Sequence, residues 1–192
     1  MYPLTIDSTT REMGSGIVTM LARFDEFEVA QKYRPGVIVG IDPGQVNMGI
    51  ALLEGDHATL YQIKLPSTTN PVERIMKTAI VMQLVGLSQY KLLAAGIENA
   101  AHSAAWGQTA LAENRTTAII ELLRLGLDHN RLYVGVPTAI RAVVFKNGRQ
   151  RAEFVWPELT VKMDDTQEAH VDTASALSVA LYAYQCLRGE VD

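Results

Sequence analysis

The chain has 192 residues, 48% of them hydrophobic, and a formal net charge of −4; this fits one α/β domain with a sizeable core plus an arm, and excludes a disordered chain. A single cysteine, Cys186, excludes an intramolecular disulfide and any cysteine-rich zinc site. No basic-then-apolar leader opens the chain and no apolar run is long enough to span a bilayer, so a cytoplasmic protein with no membrane partner is expected. The charge is unevenly placed. Six basic residues (Arg131, Arg141, Lys146, Arg149, Arg151 and Lys162) stand against Glu153 and Glu158, a local balance of +4 that leaves −8 for the rest. Any phosphate-binding surface is therefore segmental rather than global.

Residues 1–36 read as an arm, and 37–192 as the domain. Ile17, Met20, Leu21, Phe24 and Phe27 recur at helical spacing and predict a helix over about 16–33, with its stripe buried on its own domain or, second, on a dimer partner, until Arg34-Pro35-Gly36 breaks the pattern. Val37-Ile38-Val39-Gly40-Ile41 then predicts a strand covered on both faces, ending at Asp42 before the turn Pro43-Gly44. Strands follow at 47–53 and 58–65 around the hairpin Glu54-Gly55-Asp56. Asn70-Pro71-Val72-Glu73 is a helix start with cap, N1 proline and early acid, and it places Val72, Ile75, Met76, Ala79, Ile80, Gln83, Leu84 and Leu87 on one face. A strand at 92–98 ends in Glu98, a helix over 109–125 stops at Gly126, and a strand at 132–136 is closed by Pro137. A short helix at 138–144, a basic loop at 146–151, a helical turn at 153–159 and a last helix at 168–187 complete the chain.

Two apolar strands thus end in an acid, Asp42 and Glu98, and a third acid, Asp172, lies near the start of the last helix. An acid at a buried strand end either accepts hydrogen bonds from the turn's amides or holds a cation; on Asp-Pro-Gly alone both readings stand. If the three converge, they form a set of hard oxygen ligands suited to Mg²⁺ or Mn²⁺, and two such ions ~4 Å apart support phosphodiester hydrolysis.

Gly40-Ile41-Asp42-Pro43-Gly44 with Asn47-Met48-Gly49, then Gly96-Ile97-Glu98, then Val136-Pro137-Thr138-Ala139-Ile140-Arg141 through Lys146-Asn147-Gly148, then His170-Val171-Asp172-Thr173-Ala174-Ser175 with Ala176-Leu177-Ser178-Val179-Ala180-Leu181, resembles the motif series of the RuvC family of Holliday junction resolvases. The resemblance covers about 37–187. It implies an RNase H-like α/β fold with a mixed five-stranded sheet flanked by helices, in agreement with the element order βββαβαβα read from the residues, which the helical arm precedes. It implies a homodimeric, Mg²⁺-dependent endonuclease, with Mn²⁺ able to substitute, that cuts four-way branched DNA by paired nicks leaving 5′-phosphates. Asp42, Glu98 and Asp172 would be the metal ligands, Asp42 bridging both ions. Where the family has a further aspartate this chain has Ser175, a neutral hydroxyl, and His170 is the preferred substitute ligand ahead of Glu168 or Asp165. Arg141, Lys146, Arg149 and Arg151 would contact phosphates. Trp106, in the loop expected at 99–108, is open to two readings, stacking on an unpaired base or plugging the core. The alternatives are a branched-DNA-binding protein that has lost cleavage, and another RNase H-like nuclease acting on flaps or RNA-containing duplexes.

Overall fold

A computed structural model describes residues 5–7, 17–23, 36–44, 47–54, 57–64, 70–99, 105–144 and 169–189. The strands are β1 (Thr5–Asp7), β2 (Ile17–Arg23), β3 (Val37–Asp42), β4 (Asn47–Glu54), β5 (His57–Lys64), β6 (Leu92–Glu98) and β7 (Leu132–Gly135). The helices are α1 (Pro71–Leu84), α2 (Ala105–Arg124), α3 (Pro137–Val144) and α4 (Ala169–Arg188). From β3 onward the order βββαβαβ followed by helices is the one expected from the sequence.

The strands form one sheet in the order β1-β2-β5-β4-β3-β6-β7. β3, β4 and β5 are antiparallel neighbours, whereas β3 pairs parallel with β6, and β6 parallel with β7. The five strands β3 to β7 make the mixed sheet expected. Two more extend it. Instead of the helix expected over 16–33, Ile17–Arg23 is a strand paired antiparallel with β5 along its whole length, from Ile17 opposite Ile63 to Arg23 opposite His57, and β1 adds to its outer edge. The physical reason is that the free backbone edge of β5 offers a row of hydrogen bonds to the β-branched and apolar run Ile17-Val18-Thr19.

Two cores lie on opposite faces of the sheet. On one, Ile38, Ala51, Leu53, Leu60 and Ala94 pack against Ala176, Leu177, Ala180, Leu181 and Tyr184 of α4 and Ile140 and Val144 of α3. On the other, Val39, Ile41, Met48, Ile50, Ala95 and Ile97 pack against Val81, Met82 and Val85 at α1 and Ala118 and Leu122 of α2. Asn70 caps α1 as expected, its side chain accepting from the Val72 N–H at 3.0 Å. The buried face of α1 is not the expected one, however. Thr78, Val81, Met82 and Val85 are buried, while Val72 and Met76 are 61% and 59% exposed and Ile75 and Ile80 are also exposed. The helix is apolar on two sides, and only one can reach the sheet. α2 begins at Ala105, earlier than expected, so Trp106 stands in its first turn rather than in a loop. Its end is as read: Gly126 has φ +90°, its N–H reaches the Leu123 carbonyl, and the Leu127 N–H reaches the Leu122 carbonyl at 3.1 Å, a Schellman closure. The turn expected at 153–159 lies outside the described residues.

Cys186, half-buried on α4, has its thiol pushed above its ordinary value by burial, an effect only partly offset by its hydrogen bond with Tyr182. Because the thiolate is the nucleophile, iodoacetamide at pH 8 is expected to modify Cys186 more slowly than cysteine in the unfolded chain. The rate should climb as pH rises. Equal rates for folded and urea-unfolded protein at pH 8 would contradict this.

Candidate functional site

β3 and β6 are parallel with Gly40 opposite Gly96 and Ile41 opposite Ile97. Asp42 and Glu98, each one residue further, therefore stand side by side at the same sheet end, on strands ~4.8 Å apart. By the two-residue alternation, Asp42 lies on the face of Gly40, and Glu98 on the face of Gly96. That face is the one α4 covers. A Cβ on Gly40 would sit 2.0 Å from the Ala176 carbonyl oxygen and 2.4 Å from the Ala180 nitrogen; one on Gly96 would sit 2.4 Å from the Val179 carbonyl oxygen. The two glycines let α4 lie against the strand backbones immediately below the carboxylates. Glu98 is only 9% exposed, and a carboxylate so placed requires compensation by hydrogen bonds, a cation or a proton.

α4 also carries further sequence-predicted residues. Asp172 and His170 belong to its first turn, and Asp172 precedes Ala176 by four residues, about 6 Å back along the axis. Ser175 is buried, and its carbonyl accepts from the Ser178 hydroxyl at 2.7 Å. The side chains of His170, Asp172 and Trp106 lie outside the described part of the structure, as do Lys146, Arg149, Arg151, Asp165 and Glu168. Arg141 lies half-buried on α3. Among the described residues no group of three or more histidine, cysteine, aspartate or glutamate side chains could hold a metal ion. The pair Asp42 and Glu98 nevertheless fits a hard divalent cation in donor chemistry, offering oxygen alone from two adjacent strand ends.

The opposite face holds polar residues that the sequence reading passed over. Asn114 of α2 is fully buried; its Nδ2 donates to the Gly44 carbonyl at 2.9 Å, and the buried Thr78 hydroxyl donates to its Oδ1 at 3.1 Å. Its neighbour Arg115 donates to Asn99 Oδ1, and the Asn99 N–H donates to the Gly135 carbonyl at 2.8 Å. Arg74 of α1 pairs with Glu113 at 2.8 Å. The available signal was Asn114 at the position between Leu111 and Ala118 on the apolar stripe of α2, a polar residue where the helix had to be buried.

The sheet order, the parallel β3–β6–β7 trio and the helix crossing over Gly40 and Gly96 define an RNase H-like fold of the RuvC kind. The chain is similar to the structure of Thermus thermophilus RuvC in complex with Holliday junction substrate, with a TM-score of 0.57 and 17% identity over 80% of this chain and 96% of that one. It is similar to a second Thermus thermophilus RuvC structure at a TM-score of 0.56 and 17% identity, with the same coverage. No family model matches the chain, and no curated protein matches it. Among the described residues, no helix is long and apolar enough to cross a membrane.

Proposed function

We propose that the chain is a metal-dependent endodeoxyribonuclease that resolves four-way DNA junctions by paired nicks in recombination and repair, acting in the cytoplasm. The observation that carries this reading is the pair Asp42 and Glu98, brought side by side by the parallel register on the face covered by α4. The nuclease domain is 37–192, with 1–36 as its arm. Asp42, Glu98 and Asp172 hold Mg²⁺ or Mn²⁺, aided by His170. Bound divalent cations supply a nucleophilic water at neutral pH and charge compensation at the leaving oxygen. The chain's own part is to fix the carboxylates at the sheet end and to hold the phosphodiester there. Arg141, Lys146, Arg149 and Arg151 neutralise neighbouring phosphates, and Trp106 stacks on an opened base.

Paired nicks require two sites, and the exposed apolar stripe of α1 (Val72, Ile75, Met76 and Ile80) supports a homodimer that covers it with a second copy. Light scattering should give a dimer for the native chain, and about half that mass for the double variant Ile75→Asp, Met76→Asp with its melting temperature retained. A native monomer at ~50 μM, far above what a stable ~1 μM dimer needs, would remove the dimer from the proposal.

The function is tested by competition. A labelled four-way junction with Mg²⁺ should be nicked in preference to linear duplex, 5′-flap and RNA–DNA duplex of the same arm sequence. Preference for a flap or hybrid would move the chain to another RNase H-like activity. Ser175 offers a buried neutral hydroxyl instead of an acid, which favours one second reading, a junction-binding protein without cleavage. Tight junction binding with no nicks in Mg²⁺ or Mn²⁺ would establish it.

A further inference from the structure

Asn114 and Arg115 are consecutive on α2, yet they reach two different strand ends. Asn114 grips the carbonyl of Gly44, two residues beyond Asp42. Arg115 grips the side chain of Asn99, one residue beyond Glu98, and the Asn99 N–H is tied in turn to β7. Both contacts are made from the α2 side of the sheet, opposite the face that bears the carboxylates. One rigid helical step therefore spans the two acid-bearing ends from behind, without occupying the site.

The chemistry of each contact fixes its direction. A carbonyl can only accept, so the Asn114 amide must turn its NH₂ to Gly44, which leaves Oδ1 for a donor; the Thr78 hydroxyl supplies it. Thr78, on α1, thus locks the rotamer of a residue that in turn locks the turn after Asp42. The turn has little other freedom. The Gly44 N–H folds back to the Asp42 carbonyl at 3.0 Å, and a Cβ on Gly44 would sit 1.9 Å from the Asn47 carbonyl oxygen. Thr78 and Asn114 lie where an unmade hydrogen bond is costly, since both are fully buried.

We infer that Thr78, Asn114 and Arg115 are positioning residues that set the separation of Asp42 and Glu98, and so tune the affinity of the pair for a divalent cation. This rests on the reading of Asp42 and Glu98 as metal ligands. None of the three touches the cation; each acts through backbone or side chain next to a ligand, and loss of such outer partners costs roughly 10- to 100-fold in metal affinity.

The test is Mn²⁺ titration of the full chain, by calorimetry or by the loss of free Mn²⁺ electron-paramagnetic signal, beside thermal melts in chelator. Asp42→Asn should abolish binding. Asn114→Asp keeps the size of the side chain and the acceptor for Thr78 but removes the donor to Gly44, and should weaken Mn²⁺ at least about tenfold. Thr78→Val should weaken it several-fold, and Thr78→Ser, which restores the hydroxyl, should recover the native affinity. Where Asn114→Asp does not fold, the Val and Ser variants at 78 decide alone. Binding abolished by Asp42→Asn but unchanged in Thr78→Val and in folded Asn114→Asp would overturn the inference and leave the metal reading standing. Mn²⁺ bound equally by native protein and Asp42→Asn would overturn both.

Discussion

Gly40→Ala is expected to destabilise the fold by about 3 kcal/mol, at the upper end of what overpacking a close contact costs. A methyl there would press on the Ala176 carbonyl at 2.0 Å and the Ala180 nitrogen at 2.4 Å. Both are backbone atoms of a helix buried on nearly every side between Ser175 and Tyr184, so neither a rotamer change nor a small local shift relieves the clash. α4 must move bodily, and it carries Asp172 in its first turn. Chemical denaturation should show the loss as a lower midpoint at unchanged slope. Gly96→Ala, 2.4 Å from the Val179 carbonyl oxygen, should behave alike. Glycine at Gly126 serves a different purpose: a Cβ there meets nothing within 4 Å, and alanine would suffer only from the positive φ.

Asp42→Asn is the second large effect, and it falls on activity rather than folding. The amide matches the carboxylate in size at a half-buried strand end, so the melting temperature should change little. On the proposed function it removes a charged oxygen ligand from a pair only a strand spacing apart. Losing several kcal/mol of transition-state stabilisation corresponds to at least about 10³-fold in nicking rate. Glu98→Gln is expected to follow it. A tenfold loss or less in either variant would place the chemistry elsewhere.

The carboxylate pair was legible in the sequence because each acid ends an unbroken apolar run, Val37 to Ile41 and Leu92 to Ile97, and such runs are strands buried between two layers. Their adjacency was not local information; it comes from the parallel pairing across the insertion of β4, β5 and α1. The strand at Ile17 was misread because a short apolar run satisfies helical and extended spacing alike, and the deciding fact, the open edge of β5, lies forty residues away. The buried face of α1 was misread for a related reason. Val72, Ile75, Met76 and Ile80 form the more apolar stripe, yet the sheet takes the stripe holding Thr78, whose hydroxyl meets Asn114. Polar contacts across 36 residues, such as that one, leave no periodic trace.

Single-nucleotide mapping of the cuts made in a labelled four-way junction with Mg²⁺, by the native chain and by Asp42→Asn, tests the proposed function most directly. Symmetric nicks in two opposed strands, each bearing a 5′-phosphate, are expected from the native chain, and none from Asp42→Asn. Nicks of equal yield from both proteins, or cuts unrelated to the branch point, would contradict it.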